Sequence, residues 1–149
     1  MIMLTAISLH IFLLGSMISF LIITTPAVFK TLDEKNAQKF LRYIFPVLFK
    51  YCLIIVIIAG LLFILGNSFY GSIVSIIIGF GFIINVFVLT PKINKYRDYS
   101  LSGVKDAKKK FKQLHLFSVV IFLVQLFLSF SILIFYSQNH LIFFLKGLI

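Results

Sequence analysis

Few side chains in this 149-residue sequence could do more than pack. They are His10, His115 and His140, the single Cys52, and the amides Asn85 and Gln125. An imidazole can relay protons or bind a metal. A carboxamide in an apolar run can tie helices together or line a polar path. Arg97, His115 and Ser118 combine a fixed cation, a titratable ring and a hydroxyl, which suits an anionic headgroup or ligand. Cys52 stands alone, so it forms no internal disulfide and anchors no metal cluster. No nucleophile–base pair, Gly-rich phosphate loop or Cys/His metal spacing is present. Hence no catalytic residue, cofactor or metal is assigned.

The elements that must hold these residues follow from composition. Hydrophobic residues make up 61% and charged residues 12%, against about 45–50% and about 25% in soluble domains. Lipid is the solvent such a chain suits. Charge-free apolar stretches predict a single domain, 1–149, with four transmembrane helices at about 4–25, 47–65, 72–90 and 114–135. Each can cross roughly 30 Å of hydrocarbon at about 1.5 Å per residue. The first lacks the basic start and small-residue cleavage pattern of a secretory signal, so a retained helix is expected. Gly66-Asn67-Ser68-Phe69-Tyr70-Gly71 predicts a tight turn between the second and third spans. Ser137-Gln138-Asn139-His140 reads as the exit from the fourth, and 141–145 is too short to cross. Backbone in lipid must satisfy its own hydrogen bonds, so the class is all-α.

The net charge is +10. Thirteen of the fourteen Lys and Arg fall in or beside two loops, about 30–45 and 92–112. A basic excess can signal nucleic acid. Placed between apolar runs it sets topology instead, and no nucleic-acid partner is expected. The positive-inside rule puts both loops in the cytoplasm and both termini outside, in a bacterial inner membrane. The run Lys108-Lys109-Lys110 has anionic headgroups as its second use, at about 1 kcal/mol per cation near an anionic leaflet.

Depth then restricts the chemistry. His10 lies toward the outer side and His115 at the cytoplasmic start of the fourth span, on the order of 15–25 Å apart in depth. They cannot share one metal or haem. His140 could approach His10, but two histidines without a carboxylate or thiolate make a poor metal site. No Asp or Glu lies in any span, which counts against coupled transport. For Asn85 and Gln125, interhelical hydrogen bonds at ~0.6–2 kcal/mol are expected, with pore lining as the alternative. Gly15 with Ser16 and Ser19, Gly60, Gly79 and Gly81 are expected to let helices approach closely.

The two halves also resemble each other. Thr25-Pro26 and Thr90-Pro91 each close a span, and each is followed by lysines and an amphipathic stretch. Two parallel helical hairpin repeats would produce that pattern. In the first loop, Thr31 or Asp33 can cap. Phe40, Leu41, Ile44 and Phe45 then share a face, which predicts a short amphipathic cytoplasmic helix turning into the second span at Pro46.

Nearly the whole chain resembles the transmembrane protein 205-like family. The resemblance rests on His10, Gly15, Pro26, Phe29, Leu32, Ala37, Phe45 and Pro46, then on Pro91, Arg97 and Phe111-Lys112-Gln113-Leu114-His115-Leu116-Phe117-Ser118. The last stretch looks like that family's F-x-x-L-H-x-x-S element. Gln125 also fits, whereas Phe122 departs from the polar residue often found four after the serine. The resemblance implies four membrane helices and no defined biochemical activity. Together these features lead to a non-enzymatic scaffold, accessory or lipid-contacting module, alone or with a homo-oligomeric or membrane-protein partner. An oligomeric passive channel is the alternative, and a membrane redox enzyme ranks third.

Overall fold

A computed structural model describes the backbone of residues 1–146 and the side chains of residues 1–138. Four long helices carry the chain: α1 Ile2–Thr31, α2 Glu34–Leu65, α3 Phe69–Leu101 and α4 Ala107–Lys146. α1 packs on α2 and α4, and α3 packs on the same two. The result is an up-and-down bundle in which α1 and α3 occupy one diagonal.

The outer surface identifies the solvent. Phe12, Ile22, Ile23, Leu61, Phe80, Phe87 and Phe127 are all more than half exposed. A soluble protein rarely leaves so continuous an apolar surface uncovered. All four helices are long and apolar enough to span a bilayer. The interior is filled by Leu13, Met17, Phe49, Val56, Phe63, Ile78, Phe82, Phe122 and Ile132. Aromatic edges link neighbouring helices there, as between Phe49 and both Phe82 and Phe122.

The helices outrun the membrane. α1, α2 and α3 have 30, 32 and 33 residues, or about 45–50 Å against a ~30 Å hydrocarbon core. The excess lies at the end holding the basic segments, and it revises two expectations there. The amphipathic stretch before the second span is helical, but it runs without a break into α2, with Pro46 inside. A single lost amide donor does not stop a helix already held by packing on both sides. Likewise, the expected 92–112 loop is mostly helix, and only 102–106 form the turn. Gly103 and Asp106 take positive φ there. At the other end, α4 runs on through the expected exit at Ser137–His140, since no proline or glycine interrupts it. The side chains of His140, of 141–145 and of Lys146 lie outside the described residues, so the His140–His10 approach does too.

The turn between α2 and α3 is short. Asn67 adopts positive φ, and Ser68 caps α3 by accepting from the Gly71 amide at 3.2 Å. Asp33 stands at the N-cap of α2 without a side-chain bond to the backbone. Its carboxylate instead accepts from the Asn36 side-chain amide.

α1 and α3 share one irregularity. A π-helical turn occupies Phe20–Thr24 in α1 and Ile84–Leu89 in α3, each followed by Thr-Pro. A proline ring would clash with the carbonyl four residues back in a regular helix. Widening the turn relieves that clash. In each case the threonine amide and hydroxyl both donate to the carbonyl five residues back. Thr25 bonds Phe20, with a hydroxyl distance of 3.0 Å, and Thr90 bonds Asn85 at 2.7 Å.

Candidate functional site

Buried and half-buried polar side chains line one seam, between α3 and α4. Ser68 bonds Tyr136, and the Tyr70 hydroxyl donates to Ser131 at 2.8 Å. Ser75 and Ser129 flank His10. The Gln125 amide donates to the Ile78 carbonyl at 2.8 Å, and the Ser118 hydroxyl donates to Asn85 Oδ1 at 2.7 Å. As the α3 number rises the α4 number falls, so all five contacts obey a single antiparallel register. Sliding one helix on the other by a residue would break every one.

His10 enters this seam from α1 and is fully buried. Its Nδ1 lies 2.8 Å from Ser129 Oγ and its Nε2 lies 3.0 Å from Ser75 Oγ. The Ser75 hydroxyl already donates to the Gly71 carbonyl at 2.7 Å. A hydroxyl has one proton, so Ser75 must accept from Nε2–H. Nδ1 then carries the lone pair and accepts from Ser129. This tautomer, assigned from the network, satisfies a neutral imidazole on both sides. Phe63 covers the ring at 5.7 Å and stacks in turn on Tyr136. The site can lock three helices in register. It offers no carboxylate to drive a proton transfer.

Small residues make these approaches possible. A methyl on Gly71 would stand 2.5 Å from the Phe63 ring, and one on Gly81 would stand 2.8 Å from the Gln125 amide nitrogen. Gly60 faces Ser75 and Gly79 faces Val56. Gly15 differs from expectation: nothing lies within 4 Å of the position its Cβ would take. It sits on the exposed side of α1, because Leu13, Leu14 and Met17 turn the opposite side inward.

The expected Arg97–His115–Ser118 group divides. Ser118 turns into the bundle to Asn85. Arg97 lies over the Phe111 ring at 5.2 Å, and His115 stacks on the same ring at 5.9 Å. Residues 111 and 115 are one turn apart on α4, and Ser118 lies about two turns beyond Phe111 on the same side of the helix, deeper in the bundle. Two amide atoms, Asn85 Nδ2 and Gln125 Oε1, are buried without a protein partner. Among the described residues, no three His, Cys, Asp or Glu side chains converge to hold a metal.

Two features escaped the sequence reading. Arg42 on α2 forms a two-pronged ion pair with Asp98 on α3, at 2.8 and 2.6 Å. Their hydrogen bonds hold the Asp98 carboxyl below the usual carboxylate range and raise Arg42. The second is a cleft of about 530 Å³ between α3 and α4, lined by Lys92, Lys95, Tyr96, Lys110, Gln113, Leu114 and Phe117. Of the Lys108–Lys110 run, only Lys110 lines it. The spacing 92, 95, 96 was a signal, but it shows only once α3 is known to continue past Pro91.

These properties define a four-helix integral membrane protein with a polar seam and a basic end. A family model for a domain of unknown function, DUF4149, matches residues 9–100. The chain belongs to that family. The matched part holds His10, Asn85, Arg97 and both Thr-Pro turns. No curated protein and no solved structure matches the chain.

Proposed function

We propose that this protein is a non-enzymatic membrane module, a scaffold or accessory subunit that presents a rigid helical face to lipid and to membrane partners. The observation that carries this reading is how the intramembrane polar groups are used. His10, Ser75 and Ser129 satisfy one another, and Gln125, Asn85 and Ser118 join the same two helices. Seam residues spent on register are not available for turnover. The transmembrane protein 205-like resemblance implies four membrane helices, the layout this reading needs. The positive-inside rule supports a bacterial inner-membrane location with the basic helix ends in the cytoplasm.

Purification in mild detergent tests this reading, with metal analysis and an absorption spectrum. The expected result is no stoichiometric metal, haem or quinone. One such group per chain would overturn it. The competing reading is an oligomeric passive channel lined by Asn85 and Gln125, favoured by their unpartnered amide atoms. Both side chains are buried and bonded between α3 and α4 within the single bundle, which favours packing. Solute flux in proteoliposomes, abolished by N85L, would establish the channel instead.

A further inference from the structure

The basic cleft has an apolar continuation. A second groove, of about 220 Å³, lies between the same two helices and is lined by Ile77, Phe80, Gly81, Ile84, Val120, Ile121, Val124, Gln125 and Leu128. On α4 the two linings form one stripe: 110, 113, 114 and 117 belong to the cleft, then 120, 121, 124, 125 and 128 to the groove. That is a single helical face. On α3 the stripe runs from 77, 80, 81 and 84 to 92, 95 and 96. The cleft ends at Phe117 and the groove begins at Val120, less than one turn away.

From these stripes we infer that the α3–α4 groove binds one anionic phospholipid of the leaflet at the basic end, its phosphate among Lys92, Lys95 and Lys110 and an acyl chain along the apolar trough. This deepens the lipid-contacting part of the proposed function and rests on it. Charge favours that occupant: three lysines, Tyr96 and Gln113 line the cleft, and no acid does. The nearest acid along α3, Asp98, is taken by Arg42. Two lysines lie over tyrosine rings, Lys95 over Tyr99 and Lys110 over Tyr96, at 5.5 and 5.4 Å. The Tyr96 ring beneath Lys110 is itself part of the cleft wall. Length fits as well. From Leu114 to Leu128 is about 21 Å along the helix, enough for an acyl chain crossing one leaflet of a ~30 Å core. A free phosphate would use the lysines but not the trough.

The test is native mass spectrometry of the full chain in detergent with phosphatidylglycerol, phosphatidylcholine or glycerol 3-phosphate added. Phosphatidylglycerol should bind in one-to-one stoichiometry and the other two weakly. Lys92→Gln with Lys95→Gln should weaken it about thirty-fold, at about 1 kcal/mol per lysine. Lys108→Gln with Lys109→Gln, an equal loss of charge outside the cleft, should change it less than three-fold. Val124→Trp should weaken the phospholipid without affecting glycerol 3-phosphate. Protection of Cys52 from a thiol reagent certifies that each variant is folded. Equal losses in the two lysine pairs, equal binding of phosphatidylcholine, or equal binding of glycerol 3-phosphate would each overturn the site. Discovery of a bound cofactor would sink the non-enzymatic reading and leave these lipid ratios unchanged, so the two failures are distinguishable.

Discussion

Replacing His10 by leucine separates the structural role of the imidazole from a chemical one. The substitution removes two interhelical hydrogen bonds, to Ser75 and to Ser129. Such bonds in membrane bundles average about 0.6 kcal/mol and reach about 1.7. The groups left behind are not stranded. Ser75 keeps its own bond to the Gly71 carbonyl, and the Ser129 hydroxyl lies 3.5 Å from the residue 10 carbonyl. Leucine also keeps the apolar contact with Phe63. The expected cost is therefore about 1–2 kcal/mol, near the lower end of what two bonds allow. Ser129→Ala should cost roughly half of that, and the two changes should couple by about 0.6 kcal/mol or more. Cys52 provides the assay, being the single cysteine and fully buried. Its alkylation can be followed as the dodecyl sulfate fraction rises in mixed micelles, where helix content changes too little to report unfolding. A coupling energy indistinguishable from zero would refute the hydrogen-bonded network. A loss above about 4 kcal/mol for His10→Leu would equally refute it, since bonds of this kind do not reach that size.

Three further outcomes are expected. Gly71→Ala should destabilise by about 1–3 kcal/mol, because its methyl meets the Phe63 ring, whereas Gly15→Ala should be neutral or stabilising by up to ~1 kcal/mol; the Cys52 alkylation assay reads both, and equal effects would refute the distinction. The Arg42–Asp98 pair should persist at neutral pH and open on acidification. Asp98 is depressed in the folded protein chiefly by its Arg42 hydrogen bonds, so its stabilisation is complete above the unfolded aspartate value near ~4 and is lost as pH falls through the lower folded value. Amide protection over 98–104, corrected for intrinsic rate, should drop in that range and should be low at every pH in Asp98→Asn. For topology, in a Cys52→Ser background Phe69→Cys should react with an impermeant maleimide added to intact cells, and Leu101→Cys should react only after permeabilisation; the reverse pattern would invert the proposed orientation.

How much of this was legible in the sequence depends on the kind of interaction. The four spans and the segregation of charge are additive properties of a window, so hydropathy and lysine position suffice. The two Thr-Pro sites were legible as a repeat of letters, but the π turn before each was not, since it depends on how the helix relieves a proline clash. The short helix expected before Pro46 carries no sign that it joins α2 without a break, and lysine and proline after Thr90 read as a loop where α3 stays helical. In the structure α2 and α3 continue past them and clasp through Arg42 and Asp98, residues 56 positions apart. Nothing local marks that pairing. Arg97, His115 and Ser118 form a group by residue chemistry at the expected cytoplasmic end, while the partner Ser118 takes is Asn85, 33 positions away. Depth along α4 sets its partner: Ser118 lies about two turns, roughly 10 Å, further into the bundle than Phe111 on the same side of the helix, level with Asn85.

The polar seam and the lipid-facing groove are two sides of the same helix pair, and Gln125 belongs to both. Its amide bonds the Ile78 carbonyl across the seam, and its side chain closes against Gly81 in the wall of the groove. An apolar replacement at this position removes one interhelical bond and one unpartnered buried oxygen together. Losing the bond costs about 1 kcal/mol, whereas removing an unsatisfied acceptor recovers a comparable amount. Gln125→Leu should therefore lie within about 1 kcal/mol of the parent in the Cys52 assay while changing the shape of the trough beside Val124. Near-normal stability with altered phosphatidylglycerol retention would mean that the residue shapes the groove more than it holds the bundle. A loss of several kcal/mol would show instead that the amide is indispensable to the helix pairing, and the two-sided reading of this seam would fail.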